Sequence, residues 1–79
     1  MTDKNITVYS TPTCPYCRQA KEFLQERGVA FTDLNVATDL EARNAMVQKS
    51  GQLGVPVIEV DGNIVIGFNK SKLEELISQ

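Results

Sequence analysis

The sequence predicts a single α/β domain, residues 1–79, with a four-stranded mixed sheet and helices on both faces. Runs of β-branched residues alternate with amphipathic stretches in the order β-α-β-α-β-β-α. The last two strands flank Asp61-Gly62, which is a strong two-residue hairpin signal. Both faces of this hairpin are apolar, so helices must lie above and below the sheet. The two apolar sets are Val57, Ile64 and Ile66, and Ile58, Val60 and Val65.

The first half of the chain indicates a strand, a helix and a second strand. Ile6-Thr7-Val8-Tyr9 is typical of a short buried strand. From Pro15 onward apolar residues recur at helical spacing, and Gly28 is expected to end that helix. Phe31 to Val36 resembles a second strand, which a right-handed crossover makes parallel to the first. The apolar residues of the helix are Tyr16, Ala20, Phe23 and Leu24.

The second half of the chain carries two capping-box patterns. Thr38-Asp39-Leu40-Glu41 predicts a helix with Thr38 as its N-cap, and Gly51 is expected to end it. Gln52 to Gly54 is predicted to be a loop. Ser71-Lys72-Leu73-Glu74 opens the last helix, although Asn69 is an equally good N-cap. The apolar residues of the earlier helix are Leu40, Ala42, Ala45 and Met46.

Composition and charge exclude several classes of function. The net charge of −2 leaves no basic surplus to neutralise phosphates, which argues against nucleic-acid binding. No apolar run approaches the ~20 residues of a membrane span. The start of the chain, Met1 to Asn5, is polar and has no apolar signal-peptide core. We therefore expect a cytoplasmic protein in a reducing compartment, and a monomer.

Two cysteines, Cys14 and Cys17, carry the clearest chemical signal. The chain has no His, which excludes imidazole base catalysis and every metal site that contains His. Cys14 falls at the N-cap of the first predicted helix, and Pro15 suits the first helical position. The free N–H groups and the positive end of the helix dipole favour a thiolate at that point. Cys17, three residues on, lies within disulfide reach on the inner side, as thiol–disulfide exchange requires.

The two cysteines are also compatible with other roles. A disulfide across a four-residue loop stabilises the fold by only ~1.9 kcal/mol in the chain-entropy model, which makes a structural staple a weak explanation. Two inert core cysteines are the second alternative. Zinc would be two ligands short within one chain, whereas copper(I) accepts two thiolates. A metal or iron–sulfur carrier, joined through Cys14 of two chains, therefore remains the alternative from a different functional class, and no metal ligand is assigned.

Three further segments are less specific when they are taken alone. Gly54-Val55-Pro56-Val57 places a proline at the entrance of a strand, where the base rate favours a trans peptide bond. Gly67-Phe68-Asn69-Lys70 follows the hairpin, and Phe68 is compatible with a place in the core. Arg18 and Lys21, on the first helix, either add positive potential near the cysteines or form a solvated face.

Taken together, these motifs resemble the dithiol glutaredoxins. The resemblance rests on Thr11 to Cys17, on Ala20-Lys21, on Gly54 to Val57 and on the hairpin with Gly67, and it covers nearly the whole chain. It implies the thioredoxin-like fold and a cis peptide bond before Pro56, placed against the two cysteines. It also implies that the backbone of Val55 pairs with a substrate segment as a short strand.

The resemblance implies an electron-carrying thiol–disulfide oxidoreductase. Cys14 would attack a protein disulfide or a glutathione mixed disulfide, and Cys17 would then displace the substrate. No tightly bound cofactor is expected, and the reductant would be glutathione or thioredoxin reductase. The substrate-binding residues implied by the motifs are Pro15, Tyr16, Val55, Pro56, Gly67, Phe68 and Asn69.

Several residues depart from the pattern of glutathione-using glutaredoxins. Thr11 stands where a basic residue is common, and Gly54 stands where Thr usually precedes Val-Pro. Asn69-Lys70 lacks the acidic residue that binds the ammonium group of glutathione. Phe68 after Gly67 is more similar to the redoxins that serve ribonucleotide reductase and are recycled by thioredoxin reductase. Those redoxins typically lack a Pro-Tyr pair between their cysteines, which this chain has as Pro15-Tyr16. The sequence therefore does not decide between glutathione and thioredoxin reductase as the electron donor.

Overall fold

The computed structural model describes residues 5–51 and 54–78. Most of the predicted polar start of the chain, and residues 52 and 53 of the predicted loop, therefore lie outside the described residues. The seven elements follow in the predicted order. They are β1 (Ile6–Ser10), α1 (Pro15–Glu26), β2 (Thr32–Asn35), α2 (Leu40–Ser50), β3 (Val57–Val60), β4 (Asn63–Ile66) and α3 (Lys70–Ser78).

The four strands form one mixed sheet in the order β2-β1-β3-β4. β1 runs parallel to β2 and antiparallel to β3, and β3 and β4 form the predicted antiparallel hairpin. Asp61 and Gly62 connect the hairpin with φ values of 49° and 88°. Positive φ at both central residues is the requirement of a type I′ turn, which Asp-Gly meets with little strain.

Helices cover both faces of the sheet, which confirms the predicted three layers. On one face α1 and α3 pack against the three strands β1, β3 and β4. On the other face α2 packs against β1 and β3. The buried residues of the first core are Ile6, Val8, Ala20, Phe23, Leu24, Ile58, Val60, Val65, Leu73 and Leu76. Those of the second core are Tyr9, Val36, Ala42, Met46 and Val57.

Helix α2 begins one residue later than the capping-box pattern predicts. Asp39 is the N-cap, because its Oδ1 accepts a hydrogen bond from the Ala42 N–H at 3.1 Å. Thr38 lies in the preceding turn and donates its N–H to the Asn35 carbonyl at 3.3 Å. The prediction of Thr38 as the cap is therefore wrong. Thr and Asp both cap helices, but a carboxylate also interacts favourably with the helix dipole.

The structure also shows which residue caps α3 and which residue ends α2. Asn69 caps α3, since its Oδ1 accepts from the Lys72 N–H at 3.1 Å, and Ser71 is already inside the helix. Gly51 ends α2 in the left-handed conformation, with φ of 77°.

Two apolar residues of the predicted helices are not part of the core. Tyr16 is 61% exposed and Leu40 is 65% exposed. Both side chains point away from the two cores, although Cys17 and Ala42 in the same first turns are buried. Within residues 5–51 and 54–78, no helix is both long and apolar enough to span a membrane.

Candidate active site

The junction of β1 and α1 places Cys14 where the sequence predicts it. Cys14 is the N-cap of α1, and Pro15 occupies the first turn. The Cys17 N–H donates to Cys14 Sγ at 3.3 Å, and the Arg18 N–H donates to the Cys14 carbonyl at 3.2 Å. Sulfur therefore does what an oxygen does in an ordinary cap: it accepts one of the N–H groups that the helix leaves free. A hydrogen bond from an N–H to sulfur stabilises the thiolate more than the thiol.

The two sulfurs differ sharply in their access to solvent. Cys14 is half-buried, whereas Cys17 is 0% exposed and lies on the inner face of α1. Both cysteines are free thiols in this structure. An incoming disulfide can therefore reach Cys14 and not Cys17. The prediction that the inner sulfur is shielded is confirmed.

Burial sets the ionisation of Cys17. The pKa of Cys17 is raised from 9.0 to about 11, mainly because burial disfavours the thiolate; the hydrogen bond and charge of Cys14 also raise it, while the Thr11 backbone and Lys21 lower it. Cys17 is thus a neutral thiol at pH 7 in the reduced protein.

The raised pKa of Cys17 predicts a loss of stability at high pH. Below pH 9 the folded and unfolded chains both carry the thiol, but between pH 9 and about 11 the unfolded chain alone releases the proton. We expect the reduced protein to lose about 2–3 kcal/mol of unfolding free energy across this interval, at ~1.4 kcal/mol for each pH unit. Urea unfolding at pH 8 and pH 11 measures the loss.

A Cys17→Ala variant is the control for other groups that titrate in the same interval. It keeps a small apolar side chain in the core and has no thiol to ionise. The pH dependence of wild type should be steeper than that of the variant by this amount. Parallel profiles would show that Cys17 does not hold its proton in the folded protein.

The segment before β3 faces the cysteines. The Val55–Pro56 peptide bond is cis, as the family resemblance implies. Cys14 Sγ lies 3.9 Å from the Val55 carbonyl oxygen, in position to donate its S–H to it. Pro56 is fully buried, and its carbonyl accepts a 2.8 Å hydrogen bond from the Gly67 N–H. The fold thus brings Cys14, Val55, Pro56 and Gly67 together from three separate parts of the chain.

Phe68 and Asn69 have structural contacts in this fold. The Phe68 ring packs edge-on against Phe23 at 6.0 Å and lies at the border of the first core. The Asn69 side chain caps α3. The core interpretation of Phe68 therefore explains its contacts, and a role for either residue in binding substrate stays a prediction.

A pocket beside the Val55 backbone contains a residue that the sequence motifs do not indicate. The pocket has a volume of about 260 Å³. Arg43, on α2, is its cationic side chain, and Thr11 and Val55 connect it to the cysteine loop. No local pattern marks Arg43, because only the packing of α2 over the sheet brings it here. The remaining lining residues are Val36, Ala37 and Met46.

Metal ligation was also considered for this site. Among the residues that the structure describes, no cluster of three or more His, Cys, Asp or Glu side chains could hold a metal ion. The two sulfurs of Cys14 and Cys17 are the available soft donors at the site.

Known proteins match this chain over most of its length. The family model described as Glutaredoxin matches residues 6–65. A glutaredoxin-like 8.6 kDa protein encoded in the rubredoxin operon of Clostridium pasteurianum is 50% identical over 74 residues, which are 94% of this chain and 99% of the relative.

Two solved structures extend the comparison to the backbone. The glutaredoxin of Archaeoglobus fulgidus is 31% identical with a TM-score of 0.83, and the match covers 95% of this chain and 87% of the other. The NrdH-redoxin of Escherichia coli, a glutaredoxin-like protein with a thioredoxin-like activity profile, is 28% identical with a TM-score of 0.81. That match covers 91% of this chain and 93% of the redoxin. These likenesses confirm the predicted thioredoxin-like fold.

Proposed function

Because this chain belongs to the glutaredoxin family, we propose that it reduces protein disulfides or glutathione mixed disulfides through the Cys14–Cys17 dithiol. One observation supports this function above all others. A half-exposed sulfur accepts an N–H group at the start of a helix, at 3.3 Å, while its partner sulfur is buried three residues away. This asymmetry separates a sulfur that attacks substrates from one that releases them.

In the first step the Cys14 thiolate attacks a sulfur of the substrate disulfide. A bond forms between Cys14 Sγ and that sulfur, and the other substrate sulfur leaves with the electron pair as a thiolate. The Cys17 N–H and the positive end of α1 stabilise the attacking anion. The Val55 backbone, 3.9 Å from Cys14, would hold the substrate chain as an added strand segment.

In the second step Cys17 attacks Cys14 Sγ. The bond from Cys14 to the substrate breaks, the substrate leaves as a thiolate, and the Cys14–Cys17 disulfide remains. Two electrons have then passed from the dithiol to the substrate. Because Cys14 no longer raises the pKa of Cys17 at this stage, the buried thiol ionises more easily in the mixed disulfide than in the reduced protein.

Two electron donors are proposed to return the disulfide to the dithiol. Glutathione is favoured by the Arg43 pocket, since a guanidinium binds carboxylates and the pocket adjoins Val55. Thioredoxin reductase is favoured by the absence of a carboxylate from Gly67-Phe68-Asn69-Lys70, which leaves no acidic group there for the glutathione ammonium. The likeness to NrdH-redoxin supports this second donor. We propose that the reaction takes place in the cytoplasm, a reducing compartment in which both donors can act.

A comparison of the two donors tests the function. The oxidised protein is supplied either with glutathione and glutathione reductase or with thioredoxin reductase, and NADPH consumption is followed with a protein disulfide as the substrate. We expect turnover with at least one donor. No turnover with either donor, for protein disulfides and glutathione mixed disulfides alike, would contradict the proposal.

An Arg43→Gln variant separates the two donors. If glutathione binds in the Arg43 pocket, loss of one partly exposed ion pair should raise its KM about fivefold, equivalent to ~1 kcal/mol. Turnover with thioredoxin reductase is the internal control and should not change. An unchanged KM for glutathione would remove Arg43 from its binding site.

A further inference from the structure

A chain of three polar side chains connects the end of β1 to the middle of α1, and the reaction described above does not use it. The Ser10 hydroxyl donates to Asp33 Oδ1 at 2.8 Å. The other oxygen of this carboxylate, Oδ2, accepts from Lys21 Nζ at 3.0 Å. Ser10 is 2% exposed, and it is the buried polar residue of the described part of the chain. A hydroxyl buried at this point is satisfied because Asp33 accepts its hydrogen bond.

Lys21 is held close to the buried cysteine by its position in the helix. It follows Cys17 by four residues on α1, so the two side chains share one face of the helix. The Lys21 side chain is only 26% exposed. By comparison, the side chain of Lys72, which forms an ion pair with Glu75 on α3, is 51% exposed. Asp33 projects from β2 and ties the ammonium group to the sheet side of α1. The ion pair with Asp33 therefore favours a position of the ammonium on this side of the helix.

The groups that act on Cys17 come from three elements. The loop before α1 supplies Cys14 and the Thr11 backbone, and α1 itself supplies Lys21, which favours the ionised form of Cys17. β2 supplies Asp33, whose carboxylate binds the Lys21 ammonium. Lys21 is thus the cation that opposes the cost of ionising Cys17 in its buried position.

We propose that Lys21 is a positioning residue for substrate release: its ammonium group, anchored by Asp33 and Ser10, favours the Cys17 thiolate that attacks Cys14. The inference rests on the proposed function and concerns its second step. Cys17 gives its proton to solvent, and its sulfur then forms the bond to Cys14 Sγ. The bond from Cys14 to the substrate sulfur breaks, and the departing thiolate takes a proton from solvent. Lys21 stays charged throughout and transfers nothing.

A stoichiometric reaction with an aromatic disulfide separates the two steps. Attack by Cys14 releases the first coloured thiolate, and attack by Cys17 on the mixed disulfide releases the second. In a Lys21→Gln variant we expect the second phase to slow about three- to tenfold at pH 7, with its pH profile displaced upward by ~0.5–1 unit. The first phase should stay within about twofold of wild type. Lys21→Arg, which keeps the charge, should restore the second phase.

A Lys72→Gln variant is the matched control, because it removes a lysine from another ion pair, with Glu75 on α3. It should leave both phases unchanged. An unaltered second phase and pH profile in Lys21→Gln would overturn the role of Lys21, while the two phases of wild type would still support the proposed function. If wild type itself gives no second phase, Cys17 does not release the substrate, and both the proposed function and the role of Lys21 are overturned.

Discussion

A Cys14→Ser variant is expected to lose the reduction of every disulfide substrate. The serine hydroxyl is not ionised at neutral pH, and an oxygen cannot enter thiol–disulfide exchange. Cys17 cannot replace it, because its sulfur is 0% exposed and its pKa is raised to about 11. Turnover with either electron donor should fall to the background rate. The measurement is NADPH consumption with a protein disulfide and, separately, with a glutathione mixed disulfide.

The same variant is expected to fold as wild type does, which makes it a clean test of the nucleophile. Serine is among the preferred N-cap residues, and its oxygen can accept the Cys17 N–H that now lies 3.3 Å from sulfur. Its urea midpoint should therefore stay at or above that of the reduced wild type. A folded Cys14→Ser protein with measurable turnover would show that another group attacks the disulfide.

A Cys17→Ser variant is expected to stop the reaction halfway. Cys14 keeps its access to solvent and its helix N-terminus, so it still forms the mixed disulfide with a protein substrate. No second sulfur is then present to release the substrate. The trapped complex should appear as a covalent adduct in mass spectrometry, and a reducing agent should cleave it. Reduction of glutathione mixed disulfides is expected to continue, since free glutathione can release the substrate half from Cys14.

The Cys17→Ser variant needs a control for the polarity of its new side chain. Serine places a hydroxyl where Cys17 is fully buried, so some loss of stability is expected from that change alone. Cys17→Ala has no hydroxyl and should trap the same adduct. Full turnover of protein disulfides in both variants would show that Cys17 does not perform the release step.

Much of this fold could be predicted because the signals are local. Asp61-Gly62 predicts a type I′ hairpin from two residues, and the observed φ values of both residues agree. Cys14 followed by Pro15 indicates the start of α1, because a cap and a first-turn proline are properties of neighbouring residues. The apolar pattern on both strands of the hairpin required helices on two faces, and the structure has them.

The errors arose where two local signals compete or where only packing decides. Thr38 and Asp39 are both good N-cap residues. Thr38 lies in the turn whose N–H groups bond to the Asn35 carbonyl, and Asp39 is the residue that caps α2. Leu40 continues the apolar pattern of α2 and yet is 65% exposed, which only the packing of the helix decides.

The sequence by itself determined the order of the elements, the helix terminus that holds Cys14 and the spacing that places Cys17 behind it. These features can be predicted from the sequence because each depends on residues that are close to one another along the chain. The tertiary structure alone decided that Val55 faces Cys14, that Arg43 lines the adjacent pocket and that Asp33 holds Lys21. Lys21 and Asp33 are 12 residues apart in the sequence, and Cys14 and Val55 are 41 residues apart. They meet because burial of two apolar faces brings distant segments together, and no local pattern records which polar groups then become neighbours.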